Sequence, residues 1–205
     1  FTTNDNMIQN IEEVKVDTTS GSTVDLTNQT EGFKITVGGQ TDSVTGSDGN
    51  DIIIITSAGD GNNDTLIGGA GADVINLSAG SHTFSDNAKL ATIETINANS
   101  SSTTLDLTNQ VEGFTVAGGS QADNITGGSG NDIITGGGGD DTLKGGAGND
   151  TLNVDSGSDI ITLLGGAGAG GEDDVLVVSN GATATAANII NFVATTGTTN
   201  AGTAI

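Results

Sequence analysis

Aspartate recurs at every ninth position through the second half of this sequence, at Asp123, Asp132, Asp141, Asp150 and Asp159. Two residues after each stands an aliphatic, Ile125, Ile134, Leu143, Leu152 and Ile161, and glycines crowd the positions ahead of most of them. Carboxylates at a fixed spacing behind glycine-rich turns are a source of hard oxygen ligands. Glycine permits positive φ and close backbone approach, so such turns also present carbonyl oxygens. An adaptable ring of oxygens suits Ca²⁺, which takes 6–8 ligands at about 2.3–2.6 Å, whereas Mg²⁺ demands a tighter octahedron and keeps its waters. Zinc prefers His and Cys, and this chain has one His and no Cys.

With the aspartate at slot 6 of a nonapeptide, the sequence falls into two arrays. The first reads VGGQTDSVT (37–45), GSDGNDIII (46–54), GDGNNDTLI (59–67) and GGAGADVIN (68–76). The second reads GGSQADNIT (118–126), GGSGNDIIT (127–135), GGGGDDTLK (136–144), GGAGNDTLN (145–153), VDSGSDIIT (154–162) and AGGEDDVLV (169–177). Slot 8 tests the register. It holds Val44, Ile53, Leu66, Ile75, Ile125, Ile134, Leu143, Leu152, Ile161 and Leu176, all Ile, Leu or Val, although those types fill only 43 of 205 positions.

A longer period of about 81 residues overlies this one. VDLTNQTEGF (24–33) returns as LDLTNQVEGF (105–114), and each copy follows a strand-like segment, IEEVKV (11–16) or IETINA (93–98). A third copy opens at IINFVA (189–194) and is cut off. The expected units are 1–84, with its array at 37–76; 85–178, with its array at 118–177; and 179–205 as the start of a third copy or a tail. Because the chain begins at Phe1 with no signal peptide in view, it reads as a slice of a longer tandem protein.

Six residues of each nonapeptide suffice for a turn and three for a short strand. Period-two apolar patterning in STVDLTN and FKITV also reads as strand, and no helical periodicity is visible. Two nonapeptides then complete one coil. The coils stack with parallel strands, slot 8 points inward, and turns n and n+2 lie above one another with oxygens between them.

These nonapeptides resemble the RTX (hemolysin-type calcium-binding) family, whose repeat is G-G-x-G-x-D-x-U-x. GGAGADVIN, GGSGNDIIT, GGGGDDTLK and GGAGNDTLN fit it fully. The resemblance implies an all-β fold, a right-handed parallel β-roll or β-solenoid in which two calcium-binding arrays are joined by calcium-free, strand-rich coils. It also implies ligands, namely slot-6 aspartates and carbonyls of slots 1 to 4. Carried over, these are Asp42, Asp51, Asp64 and Asp73 with the carbonyls of Gly68 and Ala70 in the first array. In the second they are Asp123, Asp132, Asp141, Asp150 and Asp159 with the carbonyls of Gly127, Ser129, Gly136, Gly138, Gly145 and Ala147. Ions are expected between Asp42 and Asp64, Asp51 and Asp73, Asp123 and Asp141, Asp132 and Asp150, and Asp141 and Asp159. Asp174, beyond an insertion, is left outside this set. In the calcium-free coils Val24, Leu26, Phe33, Leu105, Leu107 and Phe114 are expected to face the core.

Composition narrows the function. The 205 residues carry 26 acidic side chains, four lysines and no arginine, for a net charge of −22. Nucleic acid and anionic membrane are repelled by such a chain. No apolar run reaches transmembrane length. With 34 glycines and 2% aromatics, large side chains alone build a thin core. Calcium binding then becomes folding energy, and the chain is expected to be loose without it.

The reading is a non-enzymatic, calcium-dependent structural module of a secreted bacterial cell-surface protein of the S-layer type. Its partners are calcium ions and copies of itself in a surface lattice, with no nucleic acid and no membrane insertion. The alternative is the accessory region of a secreted enzyme, toxin or adhesin. An ice-binding face is disfavoured because slots 3 and 5 vary. Carbohydrate binding is disfavoured by five Phe and no Trp or Tyr. GAGAGG (166–171) matches a dinucleotide fingerprint but precedes an acidic, strand-like segment instead of a helix. The stretch from Asp60 lacks the glycine and glutamate of an EF-hand loop. His82 occupies a would-be slot 6 and reads as a surface or turn histidine that closes the first array.

Overall fold

The computed structural model describes residues 11–16, 20–39, 41–58, 63–98, 101–163, 174–179, 182–186 and 191–194. Among the described residues twenty short strands, β1 to β20 in chain order, form three sheets in which every pairing is parallel. One face is a continuous ten-stranded sheet of β1 (Glu13–Lys15), β3 (Lys34–Val37), β5 (Ile52–Ile55), β7 (Val74–Asn76), β10 (Thr95–Asn97), β12 (Thr115–Ala117), β14 (Ile133–Thr135), β16 (Thr151–Val154), β18 (Val175–Val178) and β20 (Asn191–Ala194). The other face is divided. Four strands, β2 (Thr23–Asp25), β4 (Ser43–Thr45), β6 (Thr65–Ile67) and β9 (Leu90–Ala91), form its first part. Six strands, β8 (Gly80–Thr83), β11 (Thr103–Asp106), β13 (Asn124–Thr126), β15 (Thr142–Lys144), β17 (Ser158–Leu163) and β19 (Thr183–Ala186), form the second. This is the expected parallel β-solenoid. No helix among the described residues is long and apolar enough to cross a membrane.

Register follows the nonapeptide count. Ile125 pairs with Leu143 and Leu143 with Ile161 on one face; Ile134 pairs with Leu152 and Leu152 with Leu176 on the other. All ten slot-8 aliphatics are at most 1% exposed. Slots 7 and 9 flank them outward, because side chains alternate along a strand. Three-residue strands are marginal alone; here those inside each sheet pair with coils on both sides and contribute one buried side chain to a continuous row.

The 81-residue copies are ordinary coils of the same solenoid. Val24 lies beside Val44 and Leu105 beside Ile125, and Val24, Leu26, Phe33, Leu105, Leu107 and Phe114 are all buried. Phe33 and Phe114 stand one residue ahead of β3 and β12, the place that aspartate takes in the arrays. The DLTNQ motif is a compact turn. Asp25 Oδ1 accepts from Thr27 N and Oγ1 at 3.1 and 2.7 Å, and Asp106 Oδ1 does the same for Thr108 at 3.0 and 2.6 Å, as short polar side chains do in Asx turns.

The second face divides within one coil. Between β7 and β10 the chain lays down two strands, β8 paired with β11 and β9 paired with β6. His82 lies on β8, fully buried beside Leu105, with Nε2 3.1 Å from the Ser78 carbonyl. This corrects the expectation of a surface or turn histidine in slot 6. Only Leu77–Ala79 separate β7 from β8, fewer residues than the six of a full turn, so His82 arrives in the slot-8 row instead. The motif at 166–171 and the start of the stretch at 60–62 lie outside the described residues, as does most of 179–205.

Candidate calcium-binding ladders

Where each turn enters a strand, the slot-6 aspartates line up. Ahead of the ten-stranded sheet, Asp51 Oδ1 accepts from Phe33 N at 2.6 Å and Asp73 Oδ1 accepts from Asp51 N at 2.7 Å. Further along the same edge, Asp132 Oδ1 accepts from Phe114 N at 2.7 Å, Asp150 Oδ1 from Asp132 N at 2.8 Å, and Asp174 Oδ1 from Asp150 N at 2.9 Å. On the opposite edge Asp42 accepts from Ser22 N at 2.8 Å and Asp64 from Asp42 N at 2.7 Å. Asp123 accepts from Thr103 N at 2.6 Å, Asp141 from Asp123 N and Asp159 from Asp141 N, both at 2.8 Å. Every sequence-expected pair is therefore brought together, and Asp174 joins the row although it was left out.

These ten aspartates are at most 4% exposed. The second carboxylate oxygen divides them. In three turns that open a row it folds back on its own turn: Ser47 N to Asp51 Oδ2 at 2.7 Å, Gly119 N to Asp123 Oδ2 at 2.7 Å, Gly128 N to Asp132 Oδ2 at 2.9 Å. At Asp73, Asp141, Asp159 and Asp174 the buried Oδ2 has no hydrogen-bond donor among the described residues. A buried anionic oxygen without a partner is costly, and a cation removes that cost.

Slot-1 glycines show where the oxygens converge. A methyl on Gly46 would collide with Asp51 Oδ2 of its own turn and with the Gly68 carbonyl of the coil two turns on. At Gly127 the colliding pair is Asp132 Oδ2 and the Gly145 carbonyl, and at Gly118 it is Asp123 Oδ2 and the Gly136 carbonyl. The slot-3 residues instead tie coils together through their amides. Ala70 donates to Ser47, Gly138 to Gly119 and Ala147 to Gly128 at 3.0 Å, and Ser129 to Gln110 at 2.8 Å. Slot 5 has a structural part that the sequence reading missed. The side-chain oxygens of Asn50, Asn131 and Asp140 accept from the amides of Ala72, Asn149 and Ser158 in the next coil, at 2.8 to 2.9 Å. The recurrence of Asn or Asp just before slot 6 was the available signal.

Protein cations do not balance this charge. The ion pairs of the described residues, Lys15 and Lys34 with Glu13, lie on the first coils. Burial pushes the carboxyls of Asp51, Asp132 and Asp159 above the usual range. Asp73 is pushed up to about 6, first by burial and then by the nearby Asp51 and Glu94 carboxylates; Asp141 is pushed up to about 6, first by burial and then by Asp159, Asp123 and Asp140. A folded-state pKa above the unfolded value near 4 favours the metal-free fold below that value. The contribution is lost as pH rises through about 6. At neutral pH the ionised ladders therefore oppose folding until a cation neutralises them.

Among the described residues no group of three or more His, Cys, Asp or Glu side chains converges as a metal cluster. Each gap between coils offers two carboxylates, so backbone carbonyls must supply the remaining ligands, a donor set suited to Ca²⁺. Fold and ladders together define a parallel β-solenoid with cation-demanding acidic turns. The RTX calcium-binding nonapeptide repeat matches at residues 34–54, 56–81, 115–143, 126–161 and 135–171. These segments cover half of the sequence, and the chain belongs to that family. Its cofactor is calcium, and the several repeat copies fit several ions. No curated protein and no solved structure matches the chain.

Proposed function

We propose that this chain is a calcium-driven structural module of a secreted bacterial cell-surface protein of the S-layer type. It is a rod that folds on meeting extracellular calcium and then assembles with its own copies. One observation carries the reading: buried aspartates stand in register, and at Asp141 and Asp73 a carboxylate oxygen has no donor among the described residues. The proposed ligands are Asp42, Asp51, Asp64, Asp73, Asp123, Asp132, Asp141, Asp150 and Asp159, with the carbonyls of slots 1 and 3 completing each shell. Asp174 joins them on the strength of its place in the row.

The units 1–84 and 85–178 act as tandem modules, each a calcium-free, strand-rich segment followed by an array. In low cytosolic calcium the ionised ladders keep the chain open for export. Outside, each ion at a hundredfold excess over its dissociation constant adds about 2.7 kcal/mol. Sedimentation velocity of the 205-residue chain tests the assembly. In millimolar calcium it is expected to run as compact, concentration-dependent oligomers, and in chelator as an expanded monomer. A monomer throughout the calcium range contradicts the lattice role.

A further inference from the structure

The first ladder does not stop at Asp73. Glu94 stands one residue ahead of β10, in the slot-6 place, and its Oε2 accepts from Asp73 N at 2.7 Å. That is the bond each array aspartate makes to the coil before it. The turn leading to it is cut short. Gly68 N donates to the Ala91 carbonyl at 3.0 Å, as Gly46 N does to Ile67 at 2.8 Å, so Thr92 takes the slot-1 place. Only Thr92, Ile93 and Glu94 then fill a turn that takes six residues in the arrays.

The cradle found inside the arrays is rebuilt here. A methyl on Gly68 would collide with the Thr92 carbonyl and with Asp73 Oδ2 together, as at Gly46 and Gly127. Asp73 is 1% exposed and its Oδ2 has no hydrogen-bond donor among the described residues. Thr92 holds its carbonyl there at φ 52°, left-handed backbone that a β-branched residue seldom adopts. Its hydroxyl oxygen accepts from Gly69 N at 2.9 Å, and its own amide donates to Glu112 Oε2 at 3.0 Å. Two neighbouring coils thus fix the turn. In the next coil Phe114 takes the slot-6 place, so no slot-6 carboxylate follows, and the nearby Glu112 carboxylate is engaged by the Thr92 amide.

We propose that Asp73, Glu94 and the Thr92 carbonyl form a further divalent-cation site, with Thr92 and Glu94 outside the nonapeptide segments, that closes the first ladder. Glu94 is exposed, so solvent water reaches this end and completes the shell of a hard cation such as Ca²⁺. The site rests on the reading that the ladders hold calcium.

Equilibrium dialysis against calcium, counting ions bound per chain, tests it on the wild type and on Glu94→Gln. The glutamine keeps an acceptor for the Asp73 amide and removes the charge. The expected result is one ion fewer, with the remaining ions bound as before. An unchanged count and unchanged affinities overturn the site and leave Glu94 as a hydrogen-bond acceptor only. A wild type that binds no calcium fails the proposed function itself, a separate outcome. If Glu94→Gln does not reach the wild-type circular dichroism in saturating calcium, anomalous diffraction from wild-type crystals grown in calcium decides. A peak between Asp73 and Glu94 supports the site, and none there overturns it.

Discussion

Gly146→Val is expected to lower the stability of the calcium-loaded second array by about 3–4 kcal/mol, read as a fall in urea midpoint with calcium saturating. Gly146 sits at φ 117°, where an L side chain is strained by about 1–3 kcal/mol. A Cβ there would also collide with the Gly128 carbonyl oxygen of the coil below, its carbon only 3.1 Å away. That carbonyl cannot retreat freely, because it accepts from Ala147 N at 3.0 Å. Crowding a packed site adds about 1–3 kcal/mol. The substitution therefore pushes two coils apart where their oxygens face one another, and calcium affinity should fall with stability. An unchanged urea midpoint would mean that the turns are not stacked this closely.

Leu143→Ala attacks the other half of the structure. Leu143 is fully buried, paired with Ile125 on one side and Ile161 on the other. Such truncations cost about 2–5 kcal/mol, the transfer term plus the cavity. The upper half of that range is expected, because a row one side chain wide has few neighbours able to relax into the gap. Ile133→Ala is the control. Ile133 occupies slot 7 and is 46% exposed, so its change should stay within about 0.5 kcal/mol. Equal effects at the two positions, measured by urea denaturation in calcium, would contradict the assigned register. A slip of one residue would exchange the two faces.

The regular parts of the solenoid were legible because each nonapeptide does the same thing. Slot 8 was found from spacing alone, since the period-two strand and the nine-residue repeat agree at Ile134, Leu143 and Leu152. Phe33 and Phe114 were placed in the core because the 81-residue copies were read as a calcium-free continuation of the solenoid. What the sequence hid lies where the count breaks. Between Leu77 and Ile93 there is no nonapeptide to count, so the second strand on that face, the inward His82 and the short turn before Glu94 left no periodic trace. The ETIN of Glu94–Asn97 does echo the DTLN of Asp150–Asn153, a signal that was available and not used. Asp174 was set aside because residues are inserted before it. The first of them, Leu163, ends β17 and pairs with Lys144 across a one-residue register shift, the rest fall between β17 and β18, and Val175 still pairs with Thr151. The insertion is thus absorbed before the next strand of the ten-stranded sheet begins.

The back-bonded turns at Asp51, Asp123 and Asp132 were also invisible in sequence, because their residue types match those of the open turns. The difference arises from position. Each opens its row, with a phenylalanine or threonine coil beneath it instead of another aspartate. These three turns satisfy their carboxylates internally, whereas Asp73, Asp141, Asp159 and Asp174 keep an oxygen without a donor among the described residues. Place along the row, as well as local composition, bears on how strongly these aspartates demand a cation.

The central claim is that oxygens clasped between stacked coils make calcium binding part of the folding energy. Far-ultraviolet circular dichroism during a calcium titration at pH 7, with magnesium as the control, tests it most directly. The expected result is an unfolded spectrum in chelator, a cooperative rise of strand signal with calcium and none with magnesium. At pH 5 the chain in chelator should keep more strand signal than at pH 7, because Asp73 and Asp141, with pKa values near 6, then hold protons that favour the metal-free fold. A chain with the same strand signal and the same urea midpoint in chelator as in calcium would contradict the account.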